Sequence, residues 1–168
     1  MTEQNFWEII EKSWADSPKL DKQRAKALKS TDEEILEELS GELEDTILEN
    51  YNKRLFSLDK DDFTKFIHIL EERLYNIDRE EIQEHTDGSD DGFLYCRCFI
   101  LGMGQQYYNM IDKEPSKATM DLEAESFGFS AINDMKTNLV KNLTDIQSIA
   151  LKVVQTKKDG RRNKYSTR

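Results

Sequence analysis

Proline and glycine are scarce in this chain. Two prolines and seven glycines in 168 residues leave little material for the tight turns of an all-β fold. The two cysteines, Cys96 and Cys98, stand at i, i+2, a spacing that cannot build a disulfide framework, so a reducing compartment is expected. There is no Gly-rich phosphate loop, no His-Glu-x-x-His and no Cys-x-x-Cys pair. The two histidines, His68 and His85, suggest neither Ser/His/Asp nor Cys/His spacing. No apolar run reaches the ~20 residues of a membrane span. Met1-Thr2-Glu3-Gln4 has neither the basic region nor the apolar region of a secretory leader. A cytoplasmic protein with no membrane contact, no cofactor and no metal is the expectation.

What the chain has in quantity is charge. The charged fraction of 35% exceeds the globular average, and the hydrophobic fraction of 37% falls below it. The net charge of −10 is unevenly placed: residues 1–156 sum to −15 and residues 157–168 to +5. Such a body repels nucleic acid and anionic membranes and suits a basic partner, or it is simply a surface kept soluble by its charge. The basic segment has no apolar periodicity and is expected to be a disordered tail, the one part suited to a phosphate-rich partner. The expected organisation is one α-helical domain over 1–156 followed by that tail.

Apolar residues recur at helical spacing, which makes the fold class all-α: a single-domain bundle of about seven or eight helices. Phe6, Trp7, Ile10 and Trp14 mark a first helix over about 2–15, with both tryptophans as core anchors. Asp16-Ser17-Pro18 reads as a stop and restart, Ser17 capping and Pro18 in the first helical position. Thr31-Asp32-Glu33-Glu34 has the form of a capping box. Behind it Ile35, Leu39, Leu43, Ile47, Tyr51 and Leu55 follow at spacing of four, predicting one helix over about 32–56 with an acidic face. Asp59 to Asp62 open another helix, with Phe63, Phe66, Ile67, Leu70 and Leu74 as its buried stripe. His68 lies off that stripe beside Glu71 and Glu72, two groups too few for a metal site. Residues 78–82 add one short helical turn.

Ser89-Asp90-Asp91-Gly92-Phe93 then opens the least polar part of the chain. A cap at Ser89 or Asp90 predicts a central helix over about 90–111, lined by Phe93, Cys96, Ile100, Met103 and Tyr107. Cys96 and Cys98 lie about 200° apart around such a helix, so they share no metal and read as core. Gly102 and Gly104 weaken the helix, which calls for the close approach of a neighbouring helix or for a kink. Short helices are expected at 118–124 and 130–137, a bend at Phe127-Gly128-Phe129, and a last helix at about 139–156.

One charge, Arg97, sits inside this apolar run. Asp87, Asp90 and Asp91 precede it, and Asp90 to Arg97 spans two helical turns, which places both on one face. Three readings stay open for Asp87, Ser89, Asp90, Asp91 and Arg97. They form a cap and salt-bridge network, because an unpaired buried charge costs several kcal/mol. Or they form a loop that binds a basic protein. Or the carboxylates hold a divalent cation through oxygen ligands, the basis of a small enzyme. No catalytic residue is assigned. Phe6, Trp7, Trp14, Phe93, Cys96 and Ile100 are the expected structural core.

Phe6-Trp7-x-x-Ile10 together with Ser89-Asp90-Asp91-Gly92-Phe93-x-Tyr95-x-Arg97 resembles an uncharacterised bacterial family, the domain-of-unknown-function family numbered 4240. Its members open with Phe-Trp-x-x-Ile and carry Ser-Asp-Asp-x-Phe-x-Tyr-Phe-Arg-x-Trp in mid-chain. Here Cys96 stands where that family usually has Phe, and Phe99 where it usually has Trp. The resemblance covers about residues 4–135 and implies an α-helical fold and no chemistry. The functional expectation is therefore a small acidic binding protein that engages a basic protein partner, an immunity or antitoxin-like inhibitor being one version. The alternative is an enzyme using the Asp87/Asp90/Asp91 cluster with a divalent cation. Nothing in the sequence sets the oligomeric state.

Overall fold

The computed structural model describes residues 1–87 and 89–130, except for the side chain of Asp90. The described residues fall within one compact unit, Met1–Ala131. The helices expected beyond 130, the boundary at 156 and the basic tail lie outside the described residues.

Among those residues there are eight α-helices and no strand: α1 Glu3–Ala15, α2 Pro18–Ser30, α3 Glu33–Glu44, α4 Thr46–Leu55, α5 Lys60–Asn76, α6 Glu80–Gln83, α7 Asp90–Gly102 and α8 Gln105–Lys113. A 3-10 turn at Pro115–Lys117 follows, and residues 125–130 are helical. This unit is thus the all-α bundle that the periodicity implies. Phe6, Trp7, Trp14, Phe93, Cys96 and Ile100 are all buried in it.

Side chains cap four of the eight helices, while Ser17 stands at the N-cap of α2 without a side-chain cap hydrogen bond and Pro18 opens that helix. Thr2 caps α1 reciprocally with Asn5: the Asn5 N–H donates to Thr2 Oγ1 at 3.2 Å, and the Thr2 N–H donates to Asn5 Oδ1 at 3.0 Å. The Asp59 carboxylate accepts from the Asp62 N–H at 2.8 Å to begin α5. The expected capping box at Thr31 does not form. Thr31 is left-handed, with φ 47 and ψ 43, and ends α2; Asp32 caps α3, its carboxylate accepting from the Ile35 N–H at 3.3 Å. One residue of turn was needed before the next helix could start, and Thr31 is consumed in it.

The helix expected over 32–56 is two helices, broken at Asp45 with φ −122 and ψ −94. The break has a geometric reason. Residues four apart advance about 40° beyond a full turn. Over five such steps, Ile35 to Leu55, an apolar row drifts about 200° around a straight helix. Breaking the helix at Asp45 lets Leu39, Leu43, Ile47, Tyr51 and Leu55 all be buried. The same turn frees Glu44, whose carboxylate accepts from the Ser126 N–H at 2.9 Å and the Phe127 N–H at 3.4 Å, capping the helical residues 125–130. Tyr51 stacks on Phe127 with centroids 4.3 Å apart.

The central helix is also divided: α7 and α8 replace one helix over 90–111. Gly104 takes φ +95 and ψ 174, a backbone open only to glycine. Three side chains satisfy the backbone there. Trp14 Nε1 donates to the Gly102 carbonyl at 2.8 Å and Arg24 to the Met103 carbonyl at 3.1 Å, while Glu11 accepts from the Gln105 N–H at 3.0 Å. Arg24 is itself paired with Glu11 at 2.7 Å and Asp21 at 2.6 Å. A Cβ on Gly104 would collide with Glu11 and Arg24, and one on Gly102 would come within 2.6 Å of Leu43. Close approach therefore explains Gly102, and the backbone conformation explains Gly104.

Two later expectations are corrected. Residues 118–124 are not helical, and Phe127-Gly128-Phe129 is part of a helix rather than a bend. Asp121 stands in a turn with φ 58, residues 122–124 are irregular and Glu125 begins the next helix; Asp121, Glu123 and Glu125 are exposed while Leu122 and Ala124 are buried. The Asp121 N–H donates to the Thr86 carbonyl and the Ala124 N–H to the Tyr95 carbonyl, both at 3.1 Å, so the segment is laid against the start of α7.

Candidate functional site

The residues singled out at 87–97 serve two separate places. Ser89 is the N-cap of α7, its Oγ accepting from the Gly92 N–H at 3.0 Å. Asp87 accepts from the Ser89 N–H at 2.5 Å and fills the space beside Gly92, where any Cβ would strike its carboxylate. Asp91 is exposed in the first turn. The expected pairing of Asp90 with Arg97 falls on a side chain outside the described residues.

Arg97 is nearly buried, its side chain 11% exposed. Its guanidinium lies over the Phe93 ring at 4.7 Å, donates to the Leu74 carbonyl at 3.0 Å and pairs with Asp78 at 3.4 Å. The Leu74 carbonyl belongs to the last turn of α5, where helix carbonyls lack helical partners. Tyr108 serves the adjacent carbonyl of Arg73 at 2.9 Å. Arg97 thus joins α7 to the end of α5. Asp78, which the sequence reading did not single out, stands in the short connection before α6.

The carboxylates gather elsewhere. Around the start of α7, Asp87 and Asp91 lie near Asp121, Glu123 and Glu125. Burial, then Asp87, Asp121 and Glu125, push the Glu123 carboxyl above its ordinary range. Partial desolvation, then Glu125, Asp91 and Glu123, raise the Tyr95 phenol. The Cys96 thiol beneath is pushed up to about 12, by burial first and then by Glu123, Asp87 and Asp121. Cys98 is also pushed up to about 12 by burial, so both thiols are inert core groups.

None of the five carboxylates forms an ion pair among the described residues, unlike Asp16, Asp21, Asp62 or Asp112. Tyr95 and Phe129, edge to face at 6.1 Å, are half-exposed. Met120, one residue before Asp121, is 54% exposed. The patch therefore combines uncompensated negative charge with apolar surface. It is a surface feature rather than a cleft, and among the described residues no group of three or more His, Cys, Asp or Glu is arranged to hold a metal ion. His68 is exposed, 3.8 Å from Glu71, as its place off the apolar stripe implies.

A shallow groove of about 320 Å3 opens between α1, α4 and the start of α5. Its charges are already matched: Lys12 with Glu8 at 2.9 Å, Arg54 with Asp16 at 2.5 Å, and the terminal ammonium with Asp62 at 2.6 Å. It offers a ligand fewer free groups than the acidic patch. No helix among the described residues is long and apolar enough to cross a membrane.

Fold and site together define an all-α protein whose central helix carries a locked arginine at one level and an acidic patch at its start. Residues 1–142 match the family described as "Protein of unknown function (DUF4240)", and the chain belongs to that family. No curated protein and no solved structure is significantly similar to it.

Proposed function

We propose that this protein is a cytoplasmic binding protein that holds a basic protein partner on the patch formed by Asp87, Asp91, Asp121, Glu123 and Glu125, in the manner of an immunity or antitoxin-like inhibitor. What supports this reading is the gathering of five carboxylates around Tyr95 and Cys96 with no ion pair among the described residues; burial first, and then Asp87, Asp121 and Glu125, hold the Glu123 carboxyl above its ordinary range. A lysine or arginine from a partner relieves that repulsion, and Tyr95, Phe129 and Met120 supply apolar contact beside it. The net of −15 over residues 1–156 steers a basic protein toward the surface.

The test is capture from the native host with wild type and with Asp91→Lys/Glu123→Lys/Glu125→Lys, all three exposed positions. The expected partner is basic, released by moderate salt and lost in the triple variant. Capture of acidic proteins alone, or equal capture by the variant, would refute the reading. A toxin-like protein encoded immediately upstream would identify the inhibitor version.

A further inference from the structure

Residues 120–124 cross the start of α7 on a light attachment. The Asp121 N–H donates to the Thr86 carbonyl and the Ala124 N–H to the Tyr95 carbonyl, both at 3.1 Å, and Ser40 Oγ donates to the Glu123 carbonyl at 2.7 Å. Met120, Asp121 and Glu123 are exposed, so only Leu122 and Ala124 bury apolar surface. From residue 126 onward the hold is of another kind. Glu44 accepts from the Ser126 N–H at 2.9 Å and the Phe127 N–H at 3.4 Å, and Phe127 is fully buried against Tyr51. Gly128 lies so close to Cys98 that a Cβ there would come within 2.3 Å of the sulfur.

The lightly attached stretch also works against two costs. Asp121 takes φ 58, a left-handed conformation that residues with a side chain rarely adopt. Its carboxylate and that of Glu123 stand near Asp87 and Glu125, and after burial these three neighbours raise the Glu123 carboxyl. When all are ionised, like charges push residues 120–124 off the start of α7 while Phe127 anchors the chain beside them. Cys96 follows Tyr95, whose carbonyl holds Ala124, and its thiol is buried there; after burial it feels Glu123, Asp87 and Asp121. Cys98, two residues on, is buried under Gly128 instead.

We propose that residues 120–124 are a charge-loaded flap, hinged at the Phe127 anchor, that lifts off Cys96 and is closed by a basic partner. Lifting separates Asp121 and Glu123 from Asp87, and it leaves Cys98 covered because Phe127 and Glu44 stay in place. Both thiols are inert while covered, so only an opening exposes either one. A basic group that binds the gathered carboxylates favours the closed flap and shifts the balance toward it. Closure by a partner rests on the acidic patch being the partner site; lifting does not.

Alkylation of the full native chain by iodoacetamide tests this, since the reagent is uncharged and indifferent to the acidic surface. Trypsin cleaves after Arg97, so mass spectrometry counts Cys96 and Cys98 in separate peptides. Each rate is divided by that of the same thiol in the urea-unfolded chain, which removes differences in intrinsic reactivity. Unfolding of the whole bundle labels both thiols alike, whereas a lifting flap labels Cys96 alone. Cys96 is expected to react at least about tenfold faster than Cys98. Asp121→Asn/Glu123→Gln keeps the shape, and asparagine suits the left-handed position. That variant should slow Cys96 by about two- to fivefold and leave Cys98 unchanged. An oligolysine peptide at low salt should slow Cys96 in wild type. Equal rates for the two thiols, or a Cys96 rate that the variant leaves unchanged or raises, would overturn the flap. A Cys96 rate that oligolysine does not lower would overturn its closure by a basic partner. Labelling without the peptide needs no partner, so the flap can fail while salt-sensitive capture by the patch stands.

Discussion

Arg97 shows how much one residue can be asked to hold. A guanidinium inside an apolar helix must find partners or be expelled. Here it finds a carboxylate, a helix-end carbonyl and an aromatic face, contributed by the end of α5, the connection after it and α7 itself. Arg97→Ala strips all three and leaves the Leu74 carbonyl and Asp78 half-buried. The expected loss is about 2–3 kcal/mol, or about 5–10 °C in Tm, read by thermal unfolding. Asp87→Ala removes one local hydrogen bond near the surface and should cost about 1 kcal/mol or less. Glu123 behaves in the opposite sense. Its folded-state carboxyl titrates above its unfolded value, so the ionised form weighs against folding above the unfolded range near 4.3, and that penalty disappears as the pH falls through the folded value. Glu123→Gln should therefore stabilise the fold slightly at pH 7, by a few tenths of a kcal/mol after solvent screening, seen as a small rise in Tm. The gain should vanish below about pH 4 and shrink in high salt. A variant less stable than wild type at pH 7 would contradict the crowding that defines the patch.

At the scale of elements, the helices themselves were legible in sequence and their interruptions were not. Phe6, Trp7, Ile10 and Trp14, or Phe63, Phe66, Ile67 and Leu70, fix a buried stripe without ambiguity. The break at Asp45 was present in the pattern too, because a row at strict spacing of four precesses away from any single core. The break at Gly104 could not be placed by periodicity, since Met103, Tyr107 and Ile111 continue the stripe across it; only the two glycines mark it. Residues 121–124 are a turn and an irregular stretch, and reading 118–124 as helix missed Asp121 and Glu123 of the patch. Asp78 as the counter-charge of Arg97 carried no local signal, being set by tertiary packing. These distinctions predict opposite outcomes for two glycines. Gly41 lies in the middle of α3 with open space where a Cβ would go, so Gly41→Ala should stabilise by about 0.5–1 kcal/mol. Gly104→Ala should lose at least about 1–3 kcal/mol from the backbone alone, before the collision with Glu11 and Arg24 is counted. Urea midpoints moving in opposite directions would check both.

For the whole molecule, the sign and placement of charge matter more than the number of ion pairs. Several of the pairs are exposed on both sides, such as Lys12 with Glu8 and Lys53 with Glu49, and exposed pairs contribute little. The pairs of Arg24 and Arg97 are shielded by burial, with side chains 9% and 11% exposed, so added salt weakens them least. Against these stands the mutual repulsion of a body carrying −15, concentrated at the start of α7 and along α3. Screening should therefore remove more repulsion than attraction. Raising sodium chloride from about 0.02 M to about 0.5 M is expected to increase Tm by a few degrees at pH 7, measured by far-UV dichroism on dilute protein so that self-association does not contribute. The Asp91→Lys/Glu123→Lys/Glu125→Lys variant, already relieved at its most crowded point, should gain less than wild type over the same range. If wild type instead lost stability with salt, attraction between opposite charges would dominate the surface, and the uncompensated patch could not be the seat of partner binding.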